Sequence, residues 1–388
     1  MGPSKVEFTI HSLSGSLVFK THDTISGDVL FTPHEETNVA DISIELVGIT
    51  RTEVENMNTH TAFSVGQLRK KFLSMISPIH GTFGETGTLM PGETYRFHFN
   101  FVVPEQLPVQ TCSHQCSNHH IQQQHLQLPA SLDHQNQKST RLGDMSPDMV
   151  NVLYSINFAV WKRCENANRA KKIQESVHPV QIMPTREEHA PILVPTKSMY
   201  YRLRSEKKVS RGMMKRSLGK LVACSTQPPA IGIQSSQERS GEAPTTLLIH
   251  VQFRPLREGE LPPSLQAAQF QLRAMTFFGL EPWQDYPDLS DVSTWSRHGF
   301  WSECVSLTPE NDVEVEWKAT KEHGYTVYVA LLEPRLSLPS HRSYPPTFHS
   351  CLVSRAYALK ATLVYRAHGR KRGSSRLSIS VPVEICAT

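Results

Sequence analysis

No stretch of this sequence approaches the ~18–20 consecutive apolar residues that a membrane-spanning helix needs. Met1 to Phe19 alternates polar and apolar residues without a continuous apolar segment, so no secretory signal is read there. Val6 stands where a myristoylation pattern needs Ser or Thr. The sequence has no Gly-x-Ser-x-Gly elbow, no His-Glu-x-x-His, no P-loop and no Gly-x-Gly-x-x-Gly after a strand. With none of these constellations, an enzyme is not expected and no cofactor is called for. Helical periodicity is also scarce. Gln122 to Leu128 and the polar run Asn166 to Ser176 each read as one or two helical turns. The seven cysteines are scattered and odd in number, which reads as reduced thiols in the cytosol rather than a disulfide framework.

What is present is a period of two. Tyr95, Phe97, Phe99, Phe101 and Val103 alternate with Arg96, His98 and Asn100. Successive strand side chains face opposite ways, so this segment has one greasy and one wet face. The pattern recurs in Ile42-Leu46, Val152-Val160, Phe270-Phe278, Val313-Trp317, Tyr357-Tyr365 and Leu377-Ile385. Ser26-Gly27-Asp28, Met90-Pro91-Gly92 and Gly369 to Gly373 read as turns. Many short strands without a strand-helix-strand rhythm point to sandwiches or barrels. At ~150 residues per domain, 388 residues allow two or three units. No fixed internal period appears, which excludes a solenoid or propeller.

The net charge of +4 is unevenly placed. Between Lys197 and Lys220 nine basic residues face a single acid, Glu206, so this segment carries +8 and the other 364 residues sum to −4. Arg366, Arg370, Lys371, Arg372 and Arg376 form a second basic cluster, which reads as a hairpin tip. Thr226 to Ala243, rich in Ser, Gln, Pro and Gly, reads as a mobile loop. Lys207, Lys208, Arg211, Lys215 and Arg216 are the candidate partner-binding residues, facing a cargo tail or an anionic leaflet. Three or four such residues at ~1 kcal/mol each give about 3–4 kcal/mol, which is only millimolar affinity. The alternative is a solvated linker extended by its own charge. Nucleic acid is not expected, because no recognition module accompanies the charge.

Cys112-Ser-His114-Gln-Cys116-Ser-Asn-His119-His120, followed by His125, is the one metal-like string. Cys112, Cys116, His120 and His125 meet the ligand count of a tetrahedral zinc site. Zinc sites usually separate their two ligand pairs by about a dozen residues, so this one would be compact. Local packing and hydrogen bonding are the alternative.

Several blocks resemble the arrestin family. Thr21 to Val29 (THDTISGDV) resembles a second-strand signature of arrestin N-domains, and Ile42 to Val54 (ISIELVGITRTEV) the strand after it. Leu89 to Pro108 (LMPGETYRFHFNFVVPEQLP) resembles the Pro-Gly, Phe-x-Phe, Pro strand. HLQLPASL (125–132) and DMSPDMV (144–150) resemble the fungal, alpha-arrestin version, and PTFHSCLVSRAYAL (346–359) with VPVEI (381–385) the closing strands of the C-domain. The resemblance implies an all-β fold of two tandem immunoglobulin-like sandwiches. The division expected is an N-terminal sandwich over 1–184, a basic connector over 185–211 and a C-terminal sandwich over 212–388.

It also implies a non-catalytic cytoplasmic adaptor that binds membrane-protein cargo tails in ubiquitin-dependent endocytosis, peripherally at the plasma membrane or endosomes. Family members recruit WW-domain ubiquitin ligases through Pro-Pro-x-Tyr, usually in a C-terminal tail. Here the sequence ends just after its last strand and has no Pro-Pro-x-Tyr. The closest string, Pro345-Pro346-Thr347-Phe348, reads as a strand start with Phe348 in the core. The alternatives kept open are a protein-binding scaffold that meets no ligase and, more remotely, a metalloprotein built on the Cys112–His125 loop. Among the tryptophans, Trp283 and Trp295 are expected to pin their loop.

Overall fold

The computed structural model describes residues 4–11, 18–58, 61–79, 87–133, 143–163, 170–189, 191–192, 194, 198–211, 216–233, 244–292, 297–368 and 373–387. In chain order its longer elements are β1 (Lys5–His11), β2 (Thr24–Thr32), β3 (Thr37–Asn58), β4 (Thr61–Ser77), β5 (Tyr95–Val102), α1 (His119–Leu126), β6 (Val150–Arg163) and β7 (Ala170–Ile182). They continue with β8 (Arg204–Arg211), β9 (Arg216–Ser225), β10 (Ile249–Pro255), β11 (Ser264–Gly279), β12 (His298–Leu307), β13 (Lys318–Glu322), β14 (Tyr325–Leu332), β15 (Val353–Arg366) and β16 (Ser375–Val383).

In the first half, a three-stranded sheet in the order β1-β2-β5 faces a sheet in the order β7-β6-β3-β4. The alternating residues meet between them: Phe97, Phe99 and Phe101 of β5 are buried with Ile44, Leu46, Ile156 and Phe158, while Arg96, His98 and Asn100 stay in water. Phe158 touches both Phe31 and Phe97, at centroid distances of 5.7 and 5.8 Å. In the second half, β8-β9-β10-β14-β13 faces β12-β11-β15, and β16 pairs with the far side of β15. Two facing antiparallel sheets in each half make the all-β sandwich architecture expected from the strand period.

Several expectations change. Ser26-Gly27-Asp28 is not a turn but the middle of β2, with Gly27 opposite Ile10 and Phe99. A Cβ on Gly27 would lie 2.2 Å from the Thr9 carbonyl oxygen and 2.6 Å from the Phe99 ring, so the glycine is there for close approach. Met90-Pro91-Gly92 is a true turn, with Gly92 at φ +81°. Residues 170–176 belong to strand β7 rather than a helix, and 164–169 lie outside the described residues. Val313 to Trp317 alternates but forms no ladder; the strand begins at Lys318. The segment expected as a loop from Thr226 is in part a strand, since Ile231–Ile233 pairs in parallel with Ile385–Ala387; residues 234–243 lie outside the described residues. Trp283 is buried and pins its loop, while Trp295 lies outside the described residues.

The basic connector is the largest correction. Arg204–Arg211 is paired residue by residue with β9, and β8 is the edge of its sheet. Lysines on an edge strand discourage a foreign strand from adding to it, which gives these charges a structural reason. Upstream, the described part of the connector is anchored to the second half at several points. Thr185 bridges to Ala387, and the Arg202 and Ser380 backbones exchange hydrogen bonds of 2.7 and 3.0 Å. Tyr200 is buried against Phe277 and Phe300, at 5.5 and 5.0 Å. This explains why Ala274 to Gly279 is buried on both faces where one wet face was expected. The inner face meets the sandwich core, and the outer face is covered by Tyr200 and Trp283.

Candidate functional site

The two halves meet along a seam built from side chains far apart in sequence. Arg355, on β15, has no exposed surface. Its guanidinium donates to the Asp144 carbonyl, to the Met145 carbonyl at 3.3 Å, to Thr276 Oγ1 at 2.5 Å and, through Nε, to the Tyr357 hydroxyl at 3.2 Å. The Asp144 carboxylate accepts from the Ser146 backbone at 2.9 Å and the Asp133 backbone at 3.3 Å, which fixes the segment that Arg355 grips. Arg186 donates to the Leu128 carbonyl and, at 3.3 Å, to the Thr347 carbonyl. Burial lowers its pKa to about 10 against the raising influence of Tyr154, Cys386 and Glu384. Thr52 Oγ1 donates to the Gly279 carbonyl at 2.8 Å, and Phe278, Phe348 and Leu352 join the first core from the second half. Buried polar groups that find partners this completely hold one relative placement of the elements that carry them.

Between the halves lies a cleft of about 710 Å³ with His120, His189, Tyr286, Asp288, His349 and Glu384 on its walls. His189 donates its backbone N–H to Glu384 at 3.0 Å, with its ring nitrogen 3.3 Å from the same carboxylate oxygen. Such a cleft has the size and mixed polarity of a ligand or peptide pocket.

At the floor of the seam the structure gathers the thiols and imidazoles. Cys112 Sγ is 3.7 Å from Cys116 Sγ, 3.8 Å from His125 Nδ1 and 3.4 Å from His114 Nε2. Cys116 Sγ is 3.7 Å from His125 Nδ1. Helix α1 supplies His125 in its last turn, and Asn118 caps the helix by accepting from the Ile121 N–H at 3.0 Å. The fourth residue expected in a metal set, His120, is turned away and meets the Tyr286 hydroxyl at 3.0 Å. In its place stands Cys351, from the loop before β15. Cys112, His114, His125 and Cys351 have ligand atoms all within 4.8 Å of one another. Burial, with the neighbouring thiols, pushes Cys112 and Cys116 up to about 11, and burial with His114 alongside lowers His125 to about 4.

Of the basic candidates, Lys207 and Lys208 are exposed on β8. Lys207 Nζ donates to the Arg376 carbonyl at 3.2 Å, which brings the two basic clusters side by side. Lys208 faces Lys220, and Lys220 faces Arg254, so a row of cations crosses the sheet. Glu206 interrupts it, its pKa lowered chiefly by the Lys220 hydrogen bond. Arg211 and Arg216 pair at the end of the hairpin, their side chains outside the described residues; Lys215, with Arg370, Lys371 and Arg372, lies outside them entirely.

Residues 8–141 match the family model described as Arrestin (or S-antigen), N-terminal domain. These residues form an arrestin-like domain. The match spans most of the first sandwich and includes the Cys112–His125 loop. No curated protein matches the sequence. Among the described residues, no helix is long and apolar enough to cross a membrane. Sequence reasoning missed Arg186, Arg355 and Cys351, whose partners across the seam lie far away in sequence.

Proposed function

We propose that this arrestin-like chain is a non-catalytic adaptor that binds the tails of membrane-protein cargo and feeds them into ubiquitin-dependent endocytosis. The observation that carries the reading is the arrestin N-terminal domain over residues 8–141. The locked seam supports it, because a rigid two-part body offers a fixed surface to a flexible tail. We take residues 1–184 and 204–388 as the two units, the second starting earlier than the expected 212 because β8 belongs to its sheet. The proposed location is the cytoplasm, with peripheral contact at the plasma membrane or endosomes through the cations on β8. Proximity labelling in the native cell tests this, followed by binding of the purified chain to the enriched protein's isolated cytosolic tail. Enrichment of a transporter and a ubiquitin ligase, with direct tail binding, supports the adaptor; neither being found overturns it.

A second reading, a scaffold that meets no WW-domain ligase, is favoured by one observation. Pro345, Pro346 and Phe348 are buried, and the Tyr357 hydroxyl donates to the Pro345 carbonyl at 2.7 Å. WW recognition needs an accessible polyproline segment. A pull-down with isolated WW domains separates the readings, since only a ligase-recruiting adaptor gives binding.

A further inference from the structure

We propose that the Cys112–His125 loop and Cys351 together form a structural zinc site that ties the two halves of the chain. The ligands are Cys112, His125 and Cys351, with the fourth corner taken by Cys116 or His114 on the same turn. Geometry carries the assignment. With Zn–S of ~2.3 Å and Zn–N of ~2.0–2.1 Å, a tetrahedral site places two thiolates about 3.8 Å apart and a thiolate and an imidazole nitrogen about 3.6 Å apart. The triangle Cys112, Cys116, His125 has edges of 3.7, 3.7 and 3.8 Å, which is one face of such a tetrahedron. Cys112 Sγ to His114 Nε2, at 3.4 Å, also fits an edge. A disulfide does not explain the pair, since its sulfurs would be ~2.0 Å apart.

The donors also have the right chemistry. Two or three thiolates with one or two imidazoles is a zinc set rather than a magnesium or calcium set, which is built from oxygen. His114 Nδ1 lies 3.1 Å from the Gln115 carbonyl, so that nitrogen donates and Nε2 is left free to ligate. Metal-bound histidines commonly keep this kind of outer partner. Each ligating thiol releases its proton to solvent as the metal enters.

Cys351 makes the site more than a local loop staple. It belongs to the second half, and its Sγ lies 4.0 Å from the Thr111 carbonyl of the first. Its backbone carbonyl accepts from the Trp283 N–H at 2.8 Å, which ties the site to the loop that covers the second sheet. The spacing objection raised by the sequence is met by one long-range ligand. Three ligands come from the compact 112–125 string, and the fourth, Cys351, comes from the far side of the seam.

The full chain, purified and dialysed against trace zinc and then against metal-free buffer, is the test, read by elemental analysis. About one equivalent of zinc per chain is expected, as for a closed structural site. Cobalt substitution should give the intense visible bands of tetrahedral cobalt bound to thiolate, a readout that needs no variant. Cys351→Ser should lose most of the metal, and His120→Ala should keep it. Removing zinc with a chelator should raise amide exchange at both Thr111–Cys116 and Ser350–Val353. Less than a tenth of an equivalent of zinc in the unaltered chain would overturn the site, as would iron or copper in its place. Full zinc retention by Cys351→Ser would overturn the tie between halves.

Discussion

Replacing Arg355 with methionine should loosen the seam measurably. Methionine matches the aliphatic stem of arginine but donates no hydrogen bond. The substitution leaves the Asp144 and Met145 carbonyls, both donor-satisfied in the folded chain, facing a thioether. A buried acceptor without a partner costs about 1–3 kcal/mol, so two cost roughly 2–6 kcal/mol. Thr276 and Tyr357 lose less, because Tyr357 keeps its bond to the Pro345 carbonyl and a hydroxyl can rotate. Relief from desolvating a guanidinium offsets part of the sum. The expected net loss is about 2–5 kcal/mol, or roughly 5–15 °C in melting temperature for units of this size. Amide exchange should rise first at Ser146, whose N–H is held by the Asp144 carboxylate. Arg355→Lys should fail nearly as badly, since one ammonium cannot span acceptors arranged around a planar fork. A variant that melts within about 1 °C of the parent, with unchanged exchange at residues 143–146, would show that these carbonyls are satisfied another way and refute the reasoning.

Other outcomes follow from the same structure. Gly27→Ala should destabilise by about 1–3 kcal/mol in thermal melts, because the Thr9 carbonyl is backbone and cannot swing aside; an unchanged midpoint would show that β1 moves freely. Tyr200→Ala should cost about 3–5 kcal/mol, on the scale of truncating a large buried aromatic, and raise exchange over 198–203; loss of stability without that local change would place the effect elsewhere. His178 and His298 have pKa values lowered by burial, so below the unfolded value of ~6.5 the unfolded chain takes up protons that the native chain does not. Stability should therefore fall as pH drops below that value, and the double change to glutamine should flatten the fall; an unaltered slope would contradict the assignment. Lys207→Ser with Lys208→Ser should weaken sedimentation with acidic vesicles at low salt and leave it unchanged at high salt, where the parent is screened as well. Equal binding by both proteins at low salt would remove the membrane role.

The sandwiches were legible because each main strand keeps one face dry: Phe97, Phe99 and Phe101 announce β5 without help from any other segment. Where both faces are covered, as over Ala274 to Gly279, alternation says less, because the covering residue Tyr200 lies some seventy positions upstream. Charge misled in a different way. Lys207 and Lys208 read as linker residues, and only the paired backbone of β9 shows them to be on a strand edge. The seam was not legible at all. Arg355 is separated from Asp144 by 211 positions and Cys351 from Thr111 by 240, and no local period can report a pairing over that distance. The Cys112–His125 string was visible, but His120 was counted as a ligand because the turn of α1 that points it toward Tyr286 cannot be seen in spacing alone.

The connector's contacts also set an order of events during synthesis. Thr185, Arg186, His189 and Arg202 rest on Ala387, Thr347, Glu384 and Ser380. At ~5–20 residues per second, a ribosome that has just made Thr185 needs roughly 10–40 s more to reach Ala387. The first sandwich has its own strands by then and can collapse, yet the cradle for its outgoing chain does not exist. For that interval Arg186 lacks the Thr347 carbonyl and the thiols of the 112–116 turn lack Cys351, so both sites stand open to solvent or a chaperone. The nascent chain therefore passes through a half-built form whose open edge is a surface that the finished protein covers with its last strands.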